Sequence, residues 1–349
     1  MFKYNLKIEA NEIDGVYQFK INFPSFEGLQ FVCMYLLRLD GSYILIDAGL
    51  SFRECEDLFF SKLEKLNISI NDLKYLILTH EHPDHIGIAK AIKCKNPNIE
   101  ILTHEMTNSL MRWMARPKNL EIAQNSVEES SSHLMKYGVG EKHGRKVLNF
   151  MTNFRRLTEY QKPDRLLHDN DEILINSTKL RIIWTPGHSI GHICVFDEEK
   201  RYLFSGDHIL SRITPHIGAY IIPNVMLEEY QGFDFNNVLN YYLNSLDRID
   251  QLNPRIIFPA HQEIIYNPHE RILDIKKHHE NRLIEIAKAI EKEPKTPFEI
   301  SQIHFGKNLS EINVFLALHE VLSHLIYLEY QNKVKRIEKG NKILFIKKS

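Results

Sequence analysis

The sequence contains few cysteines and no excess of charge of either sign. Its 349 residues include four cysteines, none of which belongs to a CxxC pair: Cys33, Cys55, Cys94 and Cys194. A chain of this length does not need disulfides to fold, so we expect reduced thiols in a reducing compartment. The 44 Lys and Arg against 45 Asp and Glu give a net charge of -1, which excludes a global attraction to nucleic acid or anionic membranes.

The sequence also lacks long apolar runs. No stretch of about 18 uncharged apolar residues occurs, and the first residues carry acids where a signal peptide would be apolar. We therefore expect a cytoplasmic protein without a membrane-spanning segment. The composition, 43% hydrophobic and 26% charged, is that of a globular protein long enough for one large domain with an appendage or for two domains.

Histidine, by contrast, is abundant, with 18 in the chain, and three of them lie in the short motif THEHPDHIG directly after an apolar strand. His80 and His82 can face one point from an extended turn. Asp84 and His85 then face a second point as a helix begins. Imidazole and carboxylate groups are ligands of zinc and similar metals, so this cluster indicates two ions rather than one. A solvated polar loop is the alternative interpretation.

Three more residues of ligand type follow predicted strands. His188 lies in WTPGHSIGH, Asp207 in LFSGDHIL and His261 in IIFPAHQ. Each of them alone could be an ordinary polar residue of the surface or the core. Because layered α/β domains present functional groups at strand ends, the three together indicate one site shared with the histidine motif.

The order of predicted elements is typical of a layered α/β domain with additions. Strands and helices alternate over residues 13–104, with a hairpin predicted at Asp40-Gly41. Residues 105–165 are poor in Gly and Pro and predict two or three inserted helices. Strands then resume, and residues 268–294 predict a long linking helix. Residues 295–349 predict two helices and a hairpin, which is the layout of a winged helix.

The motifs LIDAGL, THEHPDHIG, TPGHSIGH, FSGDH and FPAH occur in this order and resemble those of the metallo-β-lactamase superfamily. The resemblance implies a catalytic domain over residues 1–267, with an αββα sandwich fold and a metal site at one edge. It also implies two ions with a shared ligand: His80, His82 and His188 for the first ion, Asp84, His85 and His261 for the second, and Asp207 between them. Asp47 would orient one of these ligands by a hydrogen bond.

The implied chemistry is hydrolysis by a dinuclear centre. A water between two cations loses its proton near neutral pH and becomes a metal-bridging hydroxide nucleophile. Asp84 is the expected proton shuttle, because it neighbours both the nucleophile and the leaving atom. Zinc is the expected metal, and iron or manganese would also suit a site of mixed His and Asp ligands.

The substrate is predicted from the segments added to the sandwich. Residues 295–349 resemble the tail of a lactamase-like branch that includes glyoxalase-II-like thioesterases and an animal mitochondrial endoribonuclease. The inserted helices carry an apolar stripe that is either core or the wall of an acyl pocket in a lid: Met106, Leu110, Met111, Trp113 and Met114. We therefore predict a small thioester or ester as substrate.

Two other functions stay open from the sequence alone. Residues 331–349 hold seven basic residues and one acid, which would suit a metal-dependent phosphodiesterase or endoribonuclease that contacts RNA. A lysine-rich edge strand protected against pairing explains the same residues without RNA, and we favour it. The third option is a non-catalytic regulatory protein that binds metal. We expect a small-molecule partner and no membrane, and leave a homodimer open.

Overall fold

The computed structural model of the protein describes most of the chain, namely residues 6–26, 29–39, 41–115, 132–155, 159–175, 177–218 and 224–348. Contacts between residues divide the chain into two compact units. The first unit comprises Met1–Ala115, Arg155–Pro215 and Ser245–Ile272. The second unit comprises Arg116–Phe154, His216–Asn244 and Leu273–Ser349.

The first unit contains a seven-stranded sheet whose strands lie side by side in chain order. The strands are β1 (Lys7–Ile13), β2 (Val16–Phe26), β3 (Leu29–Leu39), β4 (Ser42–Ile46), β5 (Leu73–Leu78), β6 (Glu100–His104) and β7 (Arg165–Leu167). The pairs from β1 to β4 are antiparallel, and those from β4 to β7 are parallel. The predicted hairpin joins β3 to β4, where Leu39 pairs with Ser42; Asp40 lies outside the described residues.

A second sheet of five strands completes the first unit, in the order β12-β11-β10-β9-β8. Its strands are β8 (Glu172–Ile175), β9 (Thr178–Trp184), β10 (Ile193–Asp197), β11 (Tyr202–Gly206) and β12 (Ile256–Pro259). All neighbours in it are antiparallel except β11 and β12, which are parallel. These strands lie where the sequence predicted them.

The two sheets pack face to face. Side chains alternate between the two faces of each strand, so every second residue of a strand faces the other sheet. Tyr35 and Leu37 of β3 pack with Ile182 and Phe258 of the second sheet in one buried layer. The intervening Leu36 points to the other face, toward a separate apolar layer. The predicted sandwich of sheets and helices is thereby confirmed.

Helices cover that outer face of the seven-stranded sheet. They are α1 (Arg53–Lys65), α2 (Pro83–Ile86), α3 (Ala89–Lys95) and α4 (Glu105–Met114). Each contributes side chains to the apolar layer, namely Phe59 and Leu63, Ile86, Ala89 and Ile92, and Met111. A 3-10 turn, Ile70–Asp72, precedes β5 and is capped by Ser69.

The structure decides one point that the sequence left open about the inserted segment. Helix α4, expected to open a lid over residues 105–165, packs within the first unit. Most of its apolar stripe is core rather than pocket wall, since Met106, Leu110 and Met111 are buried. Trp113 and Met114 at its end are partly exposed. The second unit takes up residues 132–154 of this segment, while residues 116–131 and 156–158 lie outside the described part of the chain.

The second unit is helical with one hairpin. Its elements are a helical turn at residues 132–136, α5 (Glu141–Arg155), α6 (Asn224–Glu229), α9 (Pro297–Phe305), α10 (Glu311–Tyr330), β13 (Val334–Lys339) and β14 (Lys342–Lys347). Two further helices, α7 (Val238–Leu252) and α8 (Pro268–Ala289), contain residues of both units. Val147, Ile286, Leu318 and Phe345 lie in one apolar core. The predicted order of helix, helix and hairpin is present, and the winged-helix interpretation of it stays a prediction.

Helix α10 is long and apolar enough to cross a membrane by length and composition alone. Of its most apolar window, 67% is buried inside the structure, which is the pattern of a core helix in a folded domain. Leu318, Leu322 and Leu325 on this helix are buried in the core of the second unit.

The packing between the sheets leads to a first prediction. Ile182→Ala removes a fully buried side chain from the layer between the sheets and should lower the free energy of unfolding by about 2–5 kcal/mol. Leu174→Ala is the control, because Leu174 on the adjacent strand is 65% exposed and should change stability by less than about 0.5 kcal/mol. Both tryptophans, Trp113 and Trp184, belong to the first unit, so fluorescence during urea unfolding reports on it. Equal losses in the two variants would contradict the layer assignment.

Candidate metal centre

The ligand-type residues of the sequence motifs meet at one edge of the first unit. They follow the carboxyl ends of four strands from both sheets: β5 for His80, His82, Asp84 and His85, β9 for His188, β11 for Asp207 and β12 for His261. Since these strand ends lie together when the sheets pack, residues far apart in sequence form one cluster. The side chains divide into two groups, each of which could hold a metal ion.

The first group contains three histidines and one carboxylate. His82 Nδ1 lies 3.0 Å from His80 Nε2 and 3.1 Å from His188 Nε2. His188 Nε2 lies 3.3 Å from Asp207 Oδ2. The ligand atoms of these four residues all lie within 4.8 Å of one another. A set of three imidazoles and one carboxylate oxygen matches the preferences of zinc.

The second group contains Asp84, His85 and His261. Asp84 Oδ2 lies 3.8 Å from His85 Nε2 and 3.4 Å from His261 Nε2. The other oxygen of the shared acid, Asp207 Oδ1, lies 3.5 Å from His85 Nε2 and 3.3 Å from His261 Nε2. Asp207 therefore turns one oxygen toward each group, which is the arrangement of a bridging ligand.

The hydrogen bonds around the second group show that a cation fits it. The Nδ1 atoms are already used, since His85 Nδ1 donates to Asp47 Oδ2 at 2.8 Å and His261 Nδ1 donates to the Phe31 carbonyl at 2.7 Å. The buried atoms His85 Nε2, His261 Nε2 and Asp207 Oδ1 make no hydrogen bond with any described atom. Leaving three buried polar atoms without partners is costly, and a divalent ion among them would satisfy all three.

The electrostatics of the cluster favour a positive charge at this position. Burial lowers the pKa of His80 well below its ordinary value, which keeps a neutral lone pair in the first group. Burial alone would also lower the pKa of His261, but the Asp207 and Asp84 carboxylates together outweigh it and raise that pKa to about 10. Burial would raise the pKa of Asp207, yet His261 and His85 hold it well below its usual range. The carboxylates also raise the pKa of His85, so positive charge is favoured where a metal ion would bind.

Asp47 lies beside a candidate ligand, where the sequence placed it. It follows β4 in a backbone conformation with φ of +62°, and its carboxylate accepts three hydrogen bonds. Thr79 donates from its backbone N at 2.8 Å and from Oγ1 at 3.0 Å, and His85 donates from Nδ1. The Thr79 hydroxyl also lies 3.1 Å from His80 Nδ1, so one carboxylate orients rings of both groups.

Residues that the sequence did not single out hold His261 in place. Three alternate positions of β3 bond to the chain around it: the Phe31 carbonyl accepts from His261 itself, the Cys33 backbone N donates to the Ala260 carbonyl at 2.7 Å, and the Tyr35 hydroxyl donates to the Pro259 carbonyl at 2.6 Å. The period of two along β3 is visible in the sequence. The segment to which β3 bonds, residues 259–261, cannot be recognised from the sequence, because it lies more than two hundred positions further on.

The two histidines next to ligands are both buried. The backbone N of Asp207 donates to His192 Nε2 at 3.1 Å, and the other ring nitrogen of His192 lies 2.8 Å from Thr185 Oγ1. His192 therefore supports the shared carboxylate and belongs to neither ligand group. Burial lowers the pKa of His208 to about 3, so this ring is neutral.

Comparison with known proteins identifies the family. Residues 28–261 match the family model of the metallo-beta-lactamase superfamily, and the chain belongs to this superfamily of hydrolases. Residues 283–347 match a second model, described as metallo-beta-lactamase-like, C-terminal domain. The resemblance inferred from the motifs is thereby confirmed, and the second unit contains a C-terminal domain that accompanies this fold.

Similar proteins extend over most of the chain. A probable metallo-hydrolase, YqjP of Bacillus subtilis, is 26% identical over 322 residues, which are 90% of this chain and 92% of that protein. A beta-lactamase-like protein 2 homolog of Caenorhabditis elegans is 25% identical and covers 76% of this chain and 67% of its own length. The crystal structure of a metallo-beta-lactamase family protein from Thermus thermophilus has 26% identity and a TM-score of 0.76, and covers 96% of this chain and 99% of its own.

A second solved structure, a beta-lactamase domain protein from Burkholderia ambifaria, supports the fold alone. It has a TM-score of 0.80 at 22% identity and covers 97% of this chain and 94% of its own. Fold, family and the His/Asp cluster together define the protein as a metallo-hydrolase of this superfamily with residues that could hold metal ions.

The close packing beneath the cluster leads to a second prediction. Gly206 has a φ of +49°, and a Cβ atom there would lie 2.6 Å from His192 Nε2 and 2.9 Å from Thr79 Oγ1, both buried and hydrogen-bonded. Gly206→Ala should therefore displace these supports, lower stability by about 2–4 kcal/mol and weaken metal binding. Tryptophan fluorescence during unfolding and zinc titration would measure the two effects.

Gly41→Ala is the matched control for this substitution. Gly41 also has a positive φ, of +87°, but a Cβ atom there would meet nothing within 4 Å. It should cost only the backbone strain of about 1–2 kcal/mol and leave metal affinity unchanged. Similar metal affinities in the two variants would show that the space beneath Asp207 does not matter.

Proposed function

We propose that the protein hydrolyses a small thioester or ester with two divalent metal ions. The observation that carries this proposal is the shared carboxylate of Asp207, which turns one oxygen toward each of two adjacent ligand groups. His80, His82 and His188 with Asp207 would hold one ion. Asp84, His85 and His261 with the same Asp207 would hold the other, and zinc suits both donor sets.

Two bound cations would supply positive charge that acidifies a water molecule and polarises a substrate oxygen. The protein side chains provide the rest. Asp47 holds the His85 ring through Nδ1 and the Phe31 carbonyl holds the His261 ring, so both Nε2 atoms keep a fixed direction. Rings fixed in this way need no reorganisation when charge develops in the reaction.

Asp84 is the side chain that we assign to proton transfer. Its side chain is 19% exposed, whereas His85 and His261 beside it are buried, so Asp84 lies at the solvent-facing side of the second group. A carboxylate at this position can accept a proton from the attacking water and donate it to the leaving atom. It is thus both a candidate ligand and the candidate acid–base residue.

The preference for a carbonyl substrate rests on two arguments. First, the C-terminal residues resemble the tail of glyoxalase-II-like proteins. Second, among the candidate ligands only His82 and Asp84 are partly exposed, so access to the site is narrow and suits a planar carbonyl group. An acyl pocket walled by α4 gives the proposal little support, because three of the five residues of its apolar stripe are buried.

A phosphodiester substrate such as RNA is a second candidate, favoured by exposed lysines on the C-terminal hairpin. Lys335, Lys339 and Lys342 are exposed on β13 and β14. Other basic residues of the hairpin are engaged by acids, with Arg336 2.9 Å from Glu329 and Lys347 2.6 Å from Glu291. Partial neutralisation makes a continuous phosphate-binding surface less favourable, so we rank this candidate second.

The decisive experiment measures metal content and turnover on the same purified protein. We expect about two zinc ions per chain and hydrolysis of acyl thioesters or esters, with a labelled RNA and an aryl phosphodiester left intact. Cleavage of only the phosphodiesters would overturn the thioester proposal. Two bound ions without turnover of any substrate would favour the non-catalytic alternative.

The variant Asp207→Asn tests the shared carboxylate. It removes the charge between the two groups and should reduce zinc content to one ion or fewer and turnover by at least about 100-fold. Asp197→Asn is the control, because Asp197 is also buried but accepts hydrogen bonds from the backbone of Glu199 and Lys200 away from the cluster. Unchanged metal content in Asp207→Asn would disprove the assignment.

Neutralising the hairpin tests the second candidate without unfolding the domain. Deleting the hairpin would remove Phe345, which is fully buried in the core of the second unit. The triple variant Lys335→Ala, Lys339→Ala, Lys342→Ala keeps that core. If the substrate is a small thioester, its turnover should stay within about twofold of the wild type. A large loss of RNA binding at low salt would instead support the nucleic-acid candidate.

A further inference from the structure

The loop that carries His188, residues 185–192, is held by side chains from three other positions. Trp184 Nε1 donates to the Ile190 carbonyl at 2.8 Å, and Thr107 Oγ1 of α4 donates to the Gly191 carbonyl at 2.7 Å. Ser189 Oγ donates to Glu81 Oε2 at 2.6 Å. We call this segment the His188 loop.

The first two contacts fix the backbone of the His188 loop against its own unit. Gly191 packs so closely on α4 that a Cβ atom there would lie 2.3 Å from the backbone N of Thr107. The backbone N of Gly191 also donates to Ser189 Oγ at 3.3 Å, which directs the serine hydroxyl toward Glu81. The serine is thus an oriented donor rather than a freely rotating one.

The contact with Glu81 differs because it joins two ligand-bearing segments. Glu81 lies between His80 and His82 in sequence, and Ser189 directly follows His188. Both Glu81 and Ser189 are buried, so their hydrogen bond is shielded from water. A buried bond to a carboxylate is stronger and more directional than an exposed one. It ties together the two segments that supply the three histidines of the first group.

We propose that the hydrogen bond between Ser189 and Glu81 positions the His188 loop against the His80–His82 turn, and so sets the metal affinity and coordination geometry of the three-histidine group. This inference rests on the proposed metal centre. Glu81 and Ser189 act here as positioning residues, since neither belongs to the two ligand groups. A ligand separation that is too wide weakens a metal site even when every ligand is present.

The test is a double-mutant cycle with zinc alone as the probe. Ser189→Ala, Glu81→Ala and the double variant are titrated with zinc against a chelating indicator, in the full chain. Each single substitution should lower the binding affinity for one of the two zinc ions by about 10–100-fold, the range found for residues that orient metal ligands. The double variant should lose no more than the larger single loss, because both substitutions remove the same bond.

Two further variants separate the hydrogen bond from other effects. Glu81→Gln keeps an oxygen acceptor for Ser189 and should retain most of the affinity. Ser301→Ala removes a buried serine of the second unit that donates to the Phe298 carbonyl at 2.8 Å, and it should leave both zinc affinities unchanged. With cobalt in place of zinc, the visible absorption of Ser189→Ala should change, since the ligand geometry differs.

The outcomes that would overturn the inference are distinct from those that would overturn the metal centre. Losses that multiply in the double variant would show no coupling between the two residues. A Glu81→Gln variant as weak as Glu81→Ala would show that charge, not the hydrogen bond, matters. Failure of the wild type to bind two zinc ions would instead reject the proposed function. If Glu81→Ala does not fold, Ser189→Ala and Glu81→Gln decide the question.

Discussion

The carboxylate of Asp207 is the point on which the site depends. It is buried at the end of β11, where burial alone would favour its neutral form, and it stays ionised because His261 and His85 face its Oδ1 atom. A fold can keep such a charge only if it brings compensating groups from several directions. This requirement explains why the two sheets must end at the same edge and why hydrogen bonds orient the rings of His80, His85 and His261.

The sandwich supplies those directions because the ligands come from both sheets. The histidine motif follows a parallel strand of the first sheet, whereas His188, Asp207 and His261 follow strands of the second. Neither sheet alone contains a complete group. The bonds from β3 to residues 259–261 cross between the sheets at this edge, so packing of the apolar layer and assembly of the centre are coupled.

How far the sequence predicted the structure depended on the distance between interacting residues. The strands, the motif of His80 to His85 and the separate strand-end ligands follow from local patterns, and the structure brings them together. Glu81 received no role, because its partner Ser189 is 108 positions away and nothing local announces the contact. The apolar stripe of α4 fits a core and a pocket equally well by periodicity, and only its burial decides between them. Residues 216–244 belong to the second unit, and nothing in their composition predicts that assignment.

The abundance of histidine is a weaker signal of metal binding than its count suggests, and the second unit shows why. His279, His319 and His324 are buried there, and burial lowers their pKa values to about 3, 3 and 4. Two of them donate from Nδ1 to backbone carbonyls, as His261 does. The Nε2 atoms of His279 and His319 also lack a hydrogen-bond partner among the described atoms, so an unsatisfied ring nitrogen does not identify a ligand.

Contact with carboxylates distinguishes the candidate ligands from these buried histidines. The Nε2 atoms of His85 and His261 face carboxylate oxygens within 4 Å. Among the described residues, no group in the second unit brings three ligand atoms together in this way. The carboxylates, rather than the number of imidazoles, therefore mark where a cation would bind.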